Sequence, residues 1–293
     1  MNIQSHVFAW LFLSQGQVML HLCNFSQVGF TNRVNAALFN GKWVASQKNG
    51  VVRYVSVYAF LKAQGMRIPL SYLAYTLATV YHETARYMQP IEEFGKGDGY
   101  PYGVPDEVTG QTYYGRGDVQ TTWKRNYETL GPLLFKVNMS GRGVDIVTEP
   151  SKLLIPFYSA QATIIGMNTG LFTGKQYSDY LDLETPDYVG ARRIINGTDQ
   201  AHTIAGYAHE FEQALRVGFG AKIDRDLIKM GSSGGDVREL QLNLNLNPDG
   251  KFGSNTEIVV KQFQQSMGLD ADGIVGKATW KALEDECYWG EAI

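Results

Sequence analysis

The chain has 293 residues, 44% of them hydrophobic, with 26 Lys and Arg against 29 Asp and Glu for a formal net charge of −3. That composition supports a globular protein of one large and one small domain and excludes a disordered chain. It offers no cation excess for a phosphate backbone, so nucleic acid is not an expected partner, and two cysteines, Cys23 and Cys287, exclude a disulfide framework.

Two apolar runs open the chain, residues 7–13 and 18–20, but no Lys or Arg lies in residues 1–6 and polar residues interrupt them. Neither approaches the roughly 20 apolar residues of a membrane span. They read as packing helices rather than as an export signal, and no stable membrane insertion is expected.

The spacing of Leu73, Leu77, Val80 and Tyr81 predicts a core helix from Ser71 to Met88, with Ser71 as its N-cap after Pro69 and Pro90 as its stop. Near its end stands His82-Glu83-Thr84. Desolvation raises the pKa of a carboxylate at the edge of an apolar helix, which makes Glu83 a candidate general acid. The plainer alternative is an exposed Glu on an amphipathic helix; His82 reads as structural.

Beyond Pro90 come Ile91-Glu92-Glu93-Phe94 and a loop with glycines at 95, 97, 99, 103, 110, 115 and 117 and tyrosines at 100, 102, 113 and 114. Glycines allow close backbone approach to a ligand, and aromatic faces stack on sugar rings. Glycoside hydrolysis commonly needs two carboxyl groups, one protonated and one ionised. Glu83 with Glu93, or with Glu92, supplies such a pair.

The pattern Asp-Gly-x-apolar-Gly-x-x-Thr occurs at 249–256 and again at 272–279, an internal repeat with an offset of 23 residues. Thr256 and Thr279 are suited to cap helices over Glu257 to Met267 and Trp280 to Glu284. Upstream, Gly231 to Gly235 reads as a flexible stretch, with Asp236 capping a helix that carries Val237, Leu240, Gln241 and Leu244. A domain boundary near residue 225 follows.

This small unit resembles the peptidoglycan-binding module of bacterial and phage wall hydrolases. The resemblance rests on Asp236-Val237-x-x-Leu240-Gln241, Asp249-Gly250-x-Phe252-Gly253, Val260-x-x-Phe263-Gln264 and Asp272-Gly273-Ile274-Val275-Gly276-x-x-Thr279-Trp280. From residue 225 onward there are 7 basic and 11 acidic side chains, so wall binding would rest on shape and hydrogen bonding rather than bulk charge.

Four further motifs resemble family 19 glycoside hydrolases, particularly phage and prophage endolysins. They are Tyr81-His82-Glu83-Thr84-Ala85, Met88-Gln89-Pro90-Ile91-x-Glu93, Tyr113-Tyr114-Gly115-Arg116-Gly117-x-Val119-Gln120-x-Thr122-Trp123-x-x-Asn126-Tyr127, and Arg192-Arg193-Ile194-Ile195-Asn196-Gly197, within about residues 70–215. The resemblance implies a mainly α, lysozyme-like catalytic domain with a deep cleft over residues 1–224, and a small three-helix peptidoglycan-binding domain over 225–293.

It also implies an inverting mechanism with Glu83 as general acid, Glu93 as general base, and Thr122 helping to hold the attacking water. Gln120, Asn126 and Asn196 match amide positions that bind sugar or orient the site, Arg116 braces the second carboxylate, and Tyr114 joins the substrate-binding set. Read from the residues alone, Thr122 is equally a turn hydroxyl and Asn196 a turn residue before Gly197, while Trp123 and Tyr127 read as core. The motif alignment selects Glu93, though more compact relatives would align Glu92.

The implied function is that of an endolysin: a monomeric muramidase cutting the β-1,4 bonds of peptidoglycan, made in a host cytoplasm and reaching the wall through a holin. No cofactor or metal is called for, since the His-Glu-x-x-His zinc pattern is absent, as are serine-hydrolase and phosphate-loop motifs. Alternatives are a chitinase, disfavoured by the short interval after Glu83 and the lack of cysteine pairs, a lytic transglycosylase, and a non-catalytic wall-binding protein.

Overall fold

A computed structural model describes residues 25–137, 141–220 and 225–289; the apolar runs at 7–13 and 18–20 and Cys23 lie outside them. The protein is mainly α-helical. In chain order the elements are α1 (Gln27–Leu38), α2 (Ala45–Ala63), α3 (Leu70–Glu83), β1 (Ile91–Glu92), β2 (Arg116–Gly117), α4 (Lys124–Leu130), α5 (Pro156–Thr169), α6 (Ser178–Leu181), α7 (Ala201–Gly218), α8 (Gly235–Asn243), α9 (Ser254–Ser266) and α10 (Lys277–Trp289). They form two compact units, residues 45–209 and a second that joins 25–44 to 210–289. The sequence places the division near residue 225; in the structure it falls after residue 209, and α1 belongs with the C-terminal helices.

In the first unit α3 is buried on every face, with Leu73, Ala74, Tyr75, Leu77, Ala78 and Val80 removed from solvent. A helix apolar all round belongs in the middle of a core. Helix α2 packs against α5, and its Phe60 ring meets Phe157 and Phe135 at 5.7 and 5.2 Å. Each such buried side chain contributes about 1.5–3 kcal/mol.

The structure ends α3 at Glu83 rather than Met88, and Pro69 precedes it with no side-chain cap. Ser71, expected to cap, donates its Oγ to the Leu181 carbonyl at 3.4 Å. The early stop comes from Thr84, whose Oγ1 donates to the Val80 carbonyl at 2.6 Å and accepts from the Met88 N–H at 2.9 Å. Ala85, Arg86 and Met88 then take left-handed φ values of 48°, 71° and 56°. Such conformations cost about 1 kcal/mol or more each, so tertiary contacts must hold them. Arg53 donates to the Met88 carbonyl at 3.3 Å. Gly50 admits that carbonyl, because a Cβ there would lie 2.0 Å from it.

Strands β1 and β2 pair antiparallel with Glu92 opposite Arg116. The ribbon is anchored by Asp118, which is fully buried and accepts from Arg53 Nη2 at 2.9 Å, the Tyr54 hydroxyl at 2.7 Å and Ser159 Oγ at 2.7 Å. A buried carboxylate persists only with such partners. One side chain thus ties the ribbon to α2 and α5.

The second unit is organised by its repeat. Gln241 donates to Asp249 Oδ1, the Lys251 carbonyl and Thr256 Oγ1 at 2.8, 3.1 and 3.3 Å, and accepts from the Gly250 N–H at 2.8 Å. Gln264 repeats this set with Asp272, Ile274, Thr279 and Gly273 at 2.9, 2.9, 3.2 and 2.9 Å. Gly250 and Gly273 hold φ values of 73° and 79°, which the tight turn requires. Thr256 and Thr279 are therefore acceptors for buried amides and not caps; Gly253 caps α9. Asp236 likewise lies inside α8, after the cap Gly234.

Between the repeats lies a core of Ile228, Val237, Leu240, Phe252, Val260, Val275, Trp280 and Leu283. Helix α1 starts at Ser26, whose Oγ accepts from the Gly29 N–H at 3.0 Å, and packs on α8. Arg33 of α1 donates to Asp236 at 2.6 Å, Glu239 at 3.2 Å and Gln213 at 2.9 Å. Glu239 is also held by Arg225 at 2.7 Å, and the Arg225 guanidinium lies 4.1 Å from the Trp280 ring centre. This network, with buried Phe30, Val34 and Ala36, ties residues 25–44 to this unit, a placement the sequence reading did not foresee.

Candidate active site

Because α3 stops where it does, Glu83 is its last helical residue and its side chain leaves the core partly exposed. Its Oε1 accepts from Arg192 Nη1 at 2.5 Å, and the Arg192 side chain is buried. The same guanidinium donates through Nε to the Asp199 carbonyl at 2.9 Å, so its direction is fixed from both sides. Arg192 is the functional candidate missed in the sequence. The signal available was its place in the Arg-Arg-Ile-Ile-Asn-Gly motif.

Glu92 and Glu93 occupy the end of β1 and the residue after it, and the ribbon gives them separate partners. Glu92 Oε1 accepts from the Tyr114 hydroxyl at 2.7 Å, with Arg116 Nε at 3.8 Å and Lys96 Nζ 3.4 Å from Oε2. The Tyr114 bond first, then the Lys96 and Arg116 charges, hold the Glu92 carboxyl below the usual carboxylate range. Glu93, half-buried, accepts from the Gly115 N–H at 2.8 Å and the Tyr102 hydroxyl at 3.1 Å. Its own N–H donates to the Gly115 carbonyl at 2.8 Å, which locks it in register with the loop opposite. Glu92 is thus set among cations, and Glu93 among neutral donors.

The remaining predicted residues fall around this ribbon, with one exception. Arg116 is buried with its guanidinium 3.6 Å over the Tyr114 ring, and donates to the Thr112 carbonyl at 2.8 Å and the Tyr127 hydroxyl at 3.2 Å. The carboxylate it approaches is Glu92, not Glu93. Gln120 donates both Nε2 hydrogens to the carbonyls of Ile91 and Gly117 at 3.1 Å, bracing the strands, so any sugar contact from this side chain falls to its Oε1. Thr122 donates Oγ1 to the Gln120 carbonyl at 2.8 Å, and buried Asn126 donates to the Thr122 carbonyl at 2.7 Å. Asn196 is not bonded to the ribbon in this way: it is exposed, its Oδ1 accepting from the Gly197 N–H at 2.8 Å in a turn.

Tyr127 is buried as expected, but Trp123 is not a core residue: it is 45% exposed. Its ring meets Tyr102 edge-on at 5.1 Å. Among the described residues no three His, Cys, Asp or Glu side chains gather as a metal site, and no helix is long and apolar enough to cross a membrane. Chemically, the unit presents carboxylates with fixed donors at a helix end and along a ribbon. That arrangement suits proton transfer.

Residues 233–283 match the family described as putative peptidoglycan binding domain. The zinc D-Ala-D-Ala carboxypeptidase of Streptomyces albus G is 41% identical over 69 residues, 20% of this chain and 27% of that protein, so the chain spans about a quarter of that relative's length. An uncharacterised protein in the bpoA1 3' region of Kitasatospora aureofaciens is 34% identical over 95 residues, 30% of this chain and 80% of that protein. Among solved structures, chitinase C of Streptomyces griseus HUT6037 is 20% identical with a TM-score of 0.44, over 68% of this chain and 78% of that one. A bacterial family 19 chitinase is 19% identical with a TM-score of 0.34, over 72% of this chain and 96% of that one.

Proposed function

We propose, for a chain that belongs to one family with the uncharacterised Kitasatospora aureofaciens protein and carries a peptidoglycan-binding-family domain at residues 233–283, the function of a cell-wall hydrolase. The reaction is cleavage of the β-1,4 glycosidic bonds of peptidoglycan, the muramidase activity of an endolysin. The observation that carries the reading is a pair of partly buried carboxylates held by fixed donors, Glu83 through Oε1 by Arg192 at the end of α3, and Glu93 by the Gly115 N–H and the Tyr102 hydroxyl.

In the proposed mechanism Glu83 gives a proton to the glycosidic oxygen as the bond to the anomeric carbon breaks. Glu93 takes a proton from the water that attacks the opposite face, inverting that carbon. Thr122 and Asn126 belong to the segment that follows the ribbon and orient water and sugar. Arg192 positions Glu83, and Glu92 serves the ribbon through Tyr114 and Arg116 instead of acting as base. Binding of the second unit to the wall raises the local concentration of substrate. A chitinase working through the same carboxylates is the second reading.

The test is digestion of purified peptidoglycan and, in parallel, colloidal chitin by wild type, Glu83→Gln and Glu93→Gln, with the released ends identified by mass spectrometry after borohydride reduction. Reducing muramic acid ends, lost in both variants, are expected. Anhydro ends would make the enzyme a lytic transglycosylase, cleavage of chitin alone a chitinase, and wall binding without cleavage a non-catalytic wall protein.

A further inference from the structure

Trp123 is unusual in two ways at once. It is 45% exposed, and its backbone sits at φ 71°, ψ 131°, a region that bulky residues rarely enter. The conformation is pinned by its N–H donating to the Tyr113 carbonyl and its carbonyl accepting from the Asn126 N–H, each at 2.9 Å. The side chain stays nearly half exposed instead of joining the core. Beside it the Tyr100 and Tyr102 rings lie parallel within 4° at 5.1 Å, with Tyr100 57% exposed, and Trp123 meets Tyr102 edge-on. The Tyr102 hydroxyl is the donor to Glu93 Oε1.

We propose that Tyr100, Tyr102 and Trp123 form an aromatic ledge that seats one pyranose ring of an N-acetylated glycan beside Glu93. Rigid aromatic faces offer the apolar side of a sugar ring a surface while its hydroxyls stay in water. The charge nearest in sequence, Lys124, is already paired with Asp106 at 2.8 Å, so the ledge lacks a ready counter-ion for a charged peptide. A sugar resting there would place its neighbour in the chain at the carboxylate that Tyr102 orients. The ledge thereby sets which bond of the glycan meets Glu93. Tyr102 is a positioning residue, acting on the reaction through Glu93.

This inference rests on the glycan-hydrolase reading, and its test is chosen to fail separately. A soluble tetramer of β-1,4-linked N-acetylglucosamine is titrated into the Glu83→Gln protein, with binding followed by intrinsic fluorescence and ligand-observed NMR. Trp123→Ala and Tyr100→Ala in that background are each expected to weaken binding about tenfold, a change of about 1.4 kcal/mol. Circular dichroism should stay unchanged. Tyr102→Phe, which keeps the ring, is expected to leave affinity within about twofold in that background; in the Glu83 enzyme it should lower kcat for cleavage while KM stays nearly unchanged.

Tyr100→Ala carries the test should Trp123→Ala fail to fold. Unchanged affinity in the folded Trp123→Ala and Tyr100→Ala proteins, or no binding of the tetramer to the parent, overturns the ledge. Binding through the ledge by a chain that cuts no glycan would leave it standing and overturn only the hydrolase reading.

Discussion

Arg192 holds Glu83 at 2.5 Å from 109 residues further along the chain, so the last residue of a core helix is aimed by a guanidinium from a different part of the first unit. The arginine side chain is 3% exposed and the glutamate 25%. Glu83→Gln keeps an acceptor of nearly the same volume, and its cost in stability is expected to stay within about 1–2 kcal/mol. Cleavage of wall glycan should fall about 10²–10⁴-fold, the range for loss of a general acid. Arg192→Ala is expected to cost more, about 2–3 kcal/mol, because a partly buried carboxylate loses its partner. Urea unfolding beside an assay of released reducing ends separates the two effects; wild-type cleavage by Glu83→Gln would remove that residue from the chemistry.

Tyr114→Phe deletes the hydroxyl that contributes most to holding Glu92 low. A carboxylate depressed in the folded state adds stability above its unfolded value, near 4.5, and loses it as pH falls through the folded value. The variant should therefore titrate Glu92 closer to 4.5, with stability at neutral pH reduced by about 1 kcal/mol, a figure discounted for the one-third exposure of Glu92. Carboxyl-carbon NMR reads the midpoint directly. An unmoved midpoint would show that Lys96 and Arg116 suffice.

Gln241→Leu and Gln264→Leu remove corresponding amides from the two copies of the repeat. Each change strands a buried glycine N–H and removes one of the donors to an aspartate that keeps its backbone partner, so each is expected to cost about 1–3 kcal/mol. The geometries match closely, and the two losses should agree within about 1 kcal/mol. Denaturant unfolding followed by fluorescence supplies the comparison; a large difference would mean that one copy bears the fold.

Acid should loosen the second unit through both copies together. Asp249 is held below 3.8 first by the Gln241 amide, and Asp272 first by the Ile274 N–H and then by Gln264. Both are depressed in the folded state, so their contribution is complete above the ordinary aspartate value and fades as pH drops below it. The melting temperature is expected to decline below about pH 4, and the Asp249→Asn, Asp272→Asn double variant to flatten that decline. Calorimetry from about pH 6 to 2.5 tests it, with an identical slope in the variant counting against the pair.

What the sequence discloses here is mostly local. The apolar spacing around Leu73 and Leu77 marks α3, and the 23-residue offset marks the repeat, because each is written within a few turns of chain. The stop at Glu83 escapes the pattern because it depends on Thr84 folding back on Val80, not on Pro90. Arg192 as the partner of Glu83, and α1 as a companion of α8, escape because their contacts lie 109 and 203 residues apart in sequence. Tryptophan composition argues for burial, and no pattern announces the left-handed backbone that turns Trp123 outward.

The joining of residues 25–44 to 210–289 also orders events in time. During synthesis α1 emerges early and must wait for α8, so the Arg33 ion pairs close only after the intervening 45–209 segment has been made and has had the chance to fold. Contacts of such long range form late. A tail cut at residue 210 and fused to another enzyme would carry α8 without its cover.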